Sequence, residues 1–259
     1  MKNLGVKLSP IKIVMVNSRL IKRLKASGIH TFPEYINYAL SLEGKRSGEL
    51  QCMIDELTTH KTEFFREPEH FEFLRNQVLP EFIQNRNSFF KIWSAGCSSG
   101  EEAFTMAMLL NQFKFLNSGF DFTIYASDVS SAVVSKAMKA TYTAQNVKGI
   151  DANLLNKYFS VVKGEKAEEY VVNKILRDKV NFAVGNLVDH YSHNYNSLDA
   201  VFCRNTLIYF DDKSKRDVVN RLIQTLKPGG YLFVGLSETV SQYSSAIKQV
   251  SPSVYRKIG

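Results

Sequence analysis

The chain has 259 residues, room for one large domain or a standard domain plus a smaller one at ~100–200 residues per domain. Hydrophobic residues at 44% and charged residues at 22% exclude a disordered or collagen-like chain. The 33 Lys and Arg exceed the 25 Asp and Glu by +8, and nine basic residues against three acids fall in the first fifty positions, so most of the excess is confined there.

The three cysteines, Cys52, Cys97 and Cys203, are odd in number and widely spaced, which points to a reducing compartment, and the lack of a CxxC pair argues against a zinc ribbon or a redox motif. No apolar run approaches the ~20 residues of a membrane span, and the start lacks a signal-type apolar core with a cleavage site. The expectation is a soluble, cytoplasmic protein, with no metal site.

The first ~90 residues read as helical. Ile11, Met15, Leu20, Ile21 and Leu24 are apolar among basic residues, and Gly28 is a helix stop. Thr31-Phe32-Pro33-Glu34 has the form of a capping box, after which Tyr35, Ala39 and Leu42 share a helical face. Leu50, Met53, Ile54 and Leu57 fit a third helix. A fourth starts at Pro68 and runs through Phe71, Leu74 and Val78, with Pro80 expected to bend or end it.

Near residue 90 the pattern changes to short apolar runs alternating with helical stretches. The runs lie at 90–93, 123–126, 180–184, 199–203 and 231–234; the helices at 101–115, 130–139 and 212–226. This alternation predicts a mostly parallel sheet covered on both faces. Val254–Ile258 reads as a last, edge strand. The predicted division is a basic helical domain with a linker helix over 1–85 and an α/β domain over 86–259.

Five segments could carry chemistry. Gly96-Cys97-Ser98-Ser99-Gly100-Glu101-Glu102 follows the first α/β strand and opens a helix. Its glycines allow close backbone approach to a ligand at the carboxyl edge of the sheet, although an ordinary strand-to-helix turn would look the same. No Lys-Ser/Thr follows Gly100, so it is not a P-loop. Two acids there would repel a pyrophosphate and suit a cationic ligand. Asp128, ending the second strand, is placed to hold a ribose diol, or to cap the next helix. A positively charged nucleoside without phosphates describes S-adenosylmethionine better than NAD or ATP. Asn186-Leu187, after the third strand, could meet the edge and face of an adenine, or form a plain turn. Arg204, Asn205 and Tyr209 follow a buried strand at the same edge; the alternative is a loop whose Arg pairs with an acid. In the helical part, Thr58-Thr59-His60-Lys61-Thr62-Glu63-Phe64-Phe65-Arg66 packs hydroxyls, aromatics and a guanidinium between two helices.

Taken in order, these motifs, together with Leu226-Lys227-Pro228-Gly229-Gly230 and Gly235-Leu236-Ser237-Glu238, resemble the chemotaxis receptor methyltransferases, the CheR family, over nearly the whole chain. The resemblance implies a small N-terminal all-helical domain followed by a Rossmann-like, doubly wound methyltransferase sheet, with a small β subdomain inserted at about 141–180. It implies methyl transfer from S-adenosylmethionine, leaving S-adenosyl-L-homocysteine, to glutamate side chains of methyl-accepting receptors. Cofactor binding would fall to His60, Thr62, Arg66, Gly96, Glu101, Asp128, Asn186, Leu187, Arg204 and Asn205. His60 stands where the family usually has Asn. Arg66, Arg204 and Tyr209 would position substrate: Arg66 by pairing with a carboxylate, Arg204 and Tyr209 by lining the substrate side. A glutamate acceptor is ionised near neutral pH, so no general base is expected. The expected partner is the helical cytoplasmic part of the receptor, docked through Lys22, Arg23 and Lys25 of a monomer, with no nucleic acid and no membrane insertion. Two rivals remain open: an RNA or small-molecule methyltransferase, and a non-catalytic cofactor sensor of the same fold.

Overall fold

The computed structural model describes residues 10–58, 60–165, 167–188 and 195–259, and side chains from Val16 onward; Thr59 and the side chains of Ile11 and Met15 lie outside the described residues. Helix α1 (Pro10–Ser27) turns Val16, Leu20 and Leu24 inward at four-residue spacing and stops at Gly28, whose φ is +69°. Helix α2 (Phe32–Leu40) is capped by Thr31, which accepts the Glu34 N–H at 3.4 Å, while the Thr31 hydroxyl donates to the Glu34 carboxylate at 2.7 Å. The box is therefore half formed, because Glu34 bonds the hydroxyl rather than the cap's backbone N–H.

Leu42 does not extend the α2 face. Ser41 adopts an extended backbone, and its side chain caps a separate short helix, α3 (Leu42–Arg46), by accepting the Gly44 N–H at 3.1 Å; Leu42 is left 74% exposed. Helix α4 (Glu49–Leu57) closes the bundle around a core of Val16, Leu20, Leu24, Tyr35, Ala39 and Met53.

Pro80 does not end the linker helix. Helix α5 (Pro68–Phe73) passes through a π turn (Leu74–Val78) into α6 (Leu79–Gln84), where Pro80 occupies the first turn. The wider turn accommodates a ring that would clash with the carbonyl four residues back in a regular helix.

The α/β part follows as β1 (Phe89–Ala95), α7 (Glu101–Leu116), β2 (Asp121–Asp128), α8 (Ser131–Lys139), β3 (Thr141–Thr143), α9 (Ala144–Val147), α10 (Ala152–Tyr158), β4 (Phe159–Lys163), β5 (Glu168–Val172), α11 (Lys174–Arg177), β6 (Val180–Val184), β7 (Leu198–Cys203), α12 (Asp212–Thr225), β8 (Leu226–Val234), β9 (Ile247–Ser251) and β10 (Val254–Lys257). The main sheet has the order β6-β2-β1-β7-β8-β10-β9. Its first five strands are parallel, and β10 runs antiparallel to both of its neighbours, β8 and β9. The predicted edge strand, β10, is thus second from the edge. The true edge is β9, whose sequence Ile-Lys-Gln-Val-Ser lacks the apolar run that marked the others.

Alternate residues of each strand serve opposite faces. Phe90, Ile92, Phe122, Ile124, Phe202 and Phe233 pack with α7 and the linker helix, while Trp93, Ala95, Val201, Cys203, Leu232 and Val234 pack with α12. The inserted β3-β5-β4 sheet is antiparallel and falls inside the predicted 141–180 segment. Among the described residues, no helix is long and apolar enough to cross a membrane. The succession β6-β2-β1 on one side and β7-β8 on the other reverses direction between β1 and β7, and ligands of such sheets lie beyond the carboxyl ends at that reversal.

Candidate functional site

Four strand ends and the linker after α4 meet at that edge. After β1 the backbone turns back: the Gly96 and Cys97 N–H groups both donate to the Ser127 carbonyl, at 2.8 and 2.9 Å. Gly96 (φ +91°), Ser98 (φ +49°) and Gly100 (φ +95°) all lie in the left-handed region. A side chain cannot replace the hydrogens here. A Cβ on Gly96 would lie 2.5 Å from the Thr206 hydroxyl, and one on Gly100 would lie 3.0 Å from both the Tyr142 hydroxyl and Ala137 Cβ. The Tyr142 hydroxyl, from the inserted sheet, donates to the Ser99 carbonyl at 2.8 Å and pins the loop from outside.

Asp128 ends β2 with its carboxylate buried, each oxygen accepting one backbone N–H: Ser98 at 2.9 Å and Ser130 at 3.0 Å. Ser130, not Asp128, caps α8. A carboxylate has about four acceptor directions, so capacity for a diol remains. The Ser98 hydroxyl donates to the His60 carbonyl at 3.4 Å, tying the linker to this loop. His60 itself shares a 2.6 Å hydrogen bond with the Thr58 hydroxyl; burial lowers its pKa against the pull of Asp128 and Asp55. Thr62 is half-buried beside it. On the neighbouring strand, the Gly185 N–H donates to the Asp128 carbonyl at 2.9 Å; Asn186 accepts the Val188 N–H, and Leu187 is buried near Trp93.

The two acids after Gly100 have separate fates. Glu101 is 3% exposed and accepts from the Ser99 hydroxyl at 2.8 and 3.1 Å; burial pushes its pKa up against the pull of Ser99 and its own backbone N–H. A buried carboxylate bonded by neutral groups, with no cation in hydrogen-bond contact among the described residues, is a ready receptor for one. Glu102 turns away, accepting from the Ser94 hydroxyl at 2.6 Å and Arg204 Nη1 at 3.2 Å.

Arg204 does not line an open substrate side. Its side chain is 2% exposed and paired with Glu67 at 3.1 Å and Glu102 at 3.2 Å. It also donates to the Arg66 carbonyl and lies over the Phe71 ring, 5.2 Å from its centroid. The alternative reading, an Arg paired to acids, describes it. Asn205 (φ +56°) is likewise directed inward: its N–H donates to Glu238 at 2.9 Å and its amide to Glu67 at 3.1 Å. Tyr209 is half-buried in the 3₁₀ turn Leu207–Tyr209. Arg66 remains partly exposed and donates to the Lys61 carbonyl at 2.8 Å rather than to a carboxylate among the described residues.

The supporting residues are the ones sequence reasoning gave no role. Glu67 joins Arg204 to Asn205. Glu238, buried, accepts the N–H groups of Gly235, Asn205 and Ile208 at 2.7, 2.9 and 3.2 Å, and so shapes the 204–208 turn; burial raises its pKa. Glu238 ended one motif and Glu67 directly followed another, but an isolated Glu carries no signal that its partners lie 30 or 138 positions away. Cys97 and Cys203 are buried, which pushes both thiols up and keeps them protonated and unreactive.

The fold and this edge define a Rossmann-like methyltransferase: a strained glycine loop, a buried strand-end carboxylate and a cation-receptive Glu101 suit S-adenosylmethionine. The family comparison makes the assignment particular. The family model described as CheR methyltransferase, SAM binding domain, matches residues 60–256, and the CheR methyltransferase all-alpha domain matches residues 1–58. The chain belongs to the CheR methyltransferase family and is an S-adenosylmethionine-dependent methyltransferase. It is 37% identical to the chemotaxis protein methyltransferase of Borreliella burgdorferi, over 98% of this chain and 90% of that one. It is 35% identical to chemotaxis protein methyltransferase 1 of Pseudomonas aeruginosa, over 98% and 93%. With the chemotaxis protein methyltransferase of Escherichia coli it shares 34% identity, over 97% and 85%.

Proposed function

We propose that the chain methylates glutamate side chains on the helical cytoplasmic part of methyl-accepting chemotaxis receptors. The observation that carries this reading is the half-buried Arg66 cation, held by the linker beside a glycine loop and strand ends suited to S-adenosylmethionine. The names of its relatives support the receptor as substrate.

When bound, S-adenosylmethionine supplies an electrophilic methyl group on a sulfonium. The chain's own work is alignment and charge placement. Asp128 holds the ribose, Glu101 the amino end, and Asn186 with Leu187 the base; His60, Thr62 and Gly96 shape the wall between linker and loop. Arg66 orients a carboxylate, and Tyr209 lines the acceptor side. A glutamate acceptor with a pKa of ~4.3 arrives ionised, so no residue need take a proton. Charge is lost from both reactants in the transfer, so surplus negative charge near the sulfur would favour the ground state. Arg204 offsets one of the two charges of Glu102 and Glu67, which reduces that surplus.

In this reading helices α1–α4 face the receptor, residues 86–259 hold the cofactor together with the linker at 60–66, and α5–α6 is the joint, helical in character but packed on the sheet. Docking uses Lys22 and Lys25, both exposed and three positions apart on one face of α1. Arg23 belongs to the bundle instead: it forms a bidentate pair with Glu49 at 2.7 and 3.0 Å, and Glu49 also accepts from the Tyr35 hydroxyl at 2.7 Å. The protein acts as a cytoplasmic monomer. Mass-spectrometric mapping of receptor incubated with the enzyme and S-adenosylmethionine tests the reading: methyl esters on glutamate are expected, and modification confined to other residue types refutes it.

A further inference from the structure

Two dipeptides far apart in the chain face each other at the site, Arg66-Glu67 in the linker and Arg204-Asn205 after β7. Glu67 is the side chain that joins them. Its Oε1 accepts from Asn205 Nδ2 at 3.1 Å. Its Oε2 accepts from Arg204 Nη2 at 3.1 Å and Nε at 3.3 Å. Arg204 Nη2 also donates to the Arg66 carbonyl.

The backbone is held in left-handed conformations on both sides of this contact: φ is +56° at Phe65, +53° at Glu67 and +56° at Asn205. Asn tolerates this region, but Phe65 and Glu67 do not favour it, so tertiary contacts must supply their angles. Such conformations concentrate where a site needs a fixed geometry.

We propose that Glu67 is a positioning residue of the methyl-transfer site, fixing Asn205 and Arg204 against Arg66 so that the linker and the strand end present one cofactor-binding surface. This rests on the methyltransferase reading above. The chemistry of the side chain fits the task. A carboxylate accepts on both oxygens, and its two neighbours, an amide NH₂ and a guanidinium, are both donors. Burial opposes its charge, but the hydrogen bonds from Asn205 and Arg204 prevail and hold its pKa below the ordinary value. His70, whose Nδ1 lies 3.5 Å from Oε2, adds no cation to this contact: burial pushes its pKa down to about 4, so the ring is neutral. Among the described residues its two nitrogens have no hydrogen-bond partner, and the ring packs edge-on against Phe202 and Phe233.

Glu67→Gln keeps the shape but turns an NH₂ toward one of the two donors. Calorimetric binding of S-adenosylmethionine to the full chain tests the proposal with Glu67→Gln, Asn205→Ala and the double variant, alongside their ligand-free melting curves. Glu67→Gln is expected to weaken binding about tenfold to a hundredfold, the scale of a lost alignment. The double variant should bind no worse than the weaker single, because Glu67 acts through Asn205. A merely structural acid would instead give additive losses, which would overturn the proposal, as would wild-type affinity in Glu67→Gln. If Glu67→Gln fails to melt cooperatively, Glu67→Asp decides: it keeps two acceptors but falls one methylene short, so weaker binding is expected and unchanged binding refutes. Wild-type protein that binds the cofactor without labelling receptor would sink the receptor reading and leave this test standing. Receptor labelling with unchanged Glu67→Gln affinity would sink the clamp alone.

Discussion

Removing the Arg204 cation is the sharpest perturbation of the site. Its side chain is 2% exposed and answers two carboxylates, Glu67 and Glu102, with 14% and 15% exposure. Arg204→Gln leaves both acids without their cation. Breaking a buried ion pair from one side costs ~3–5 kcal/mol, mostly for the stranded charge. In a chain of this size that corresponds to a fall of roughly 10 °C in melting temperature. The pH dependence separates a stranded charge from lost packing. Burial already raises the Glu102 pKa while Arg204 opposes it; without Arg204 it rises further, and Glu67 loses one of the partners holding it down. Groups whose folded pKa lies above the unfolded value favour the folded state as pH falls and lose that advantage as pH rises through the folded pKa. The deficit of Arg204→Gln should therefore be largest near pH 8 and shrink toward pH 5. Urea denaturation at several pH values measures it. A deficit under ~1 kcal/mol at pH 8, or one that grows on acidification, would refute the reasoning.

Other perturbations test other parts of the site. Gly96→Ala forces a side chain into the left-handed region and against Thr206, so it should cost ~2–4 kcal/mol by denaturant titration; a loss within ~0.5 kcal/mol contradicts the loop geometry. Tyr142→Phe removes the hydrogen bond to the Ser99 carbonyl; a loss of ~1 kcal/mol with weaker cofactor binding is expected, and calorimetry showing unchanged affinity would mean the inserted sheet does not brace the loop. Asp128→Ala should abolish most cofactor binding by calorimetry, and retained affinity would sink the ribose assignment. Lys22→Ala with Lys25→Ala should slow receptor methylation and flatten its ionic-strength dependence without changing the melting temperature; unchanged kinetics would remove α1 as the docking face.

The main strands and the site's location were legible because apolar runs and glycine spacing are local signals. Gly96, Gly100 and Asp128 fall where the sequence puts them, at adjoining strand ends. What was not legible depends on distant partners. Arg204 reads as a polar residue at a ligand edge until Glu67 and Glu102 close around it. Arg23 reads as one cation among several until Glu49 and Tyr35 claim it. β9 escaped because an edge strand needs only Ile247 buried, and a helix runs through Pro80 because a π turn makes room for it.

The central claim, methyl transfer to receptor glutamates, is tested most directly by incubating the protein with radiolabelled S-adenosylmethionine and receptor-containing membranes. Label on the receptor that is released by base, as a carboxyl ester requires, is the expected result. Base-stable label on RNA, or no label on any macromolecule while the cofactor still binds, would contradict it.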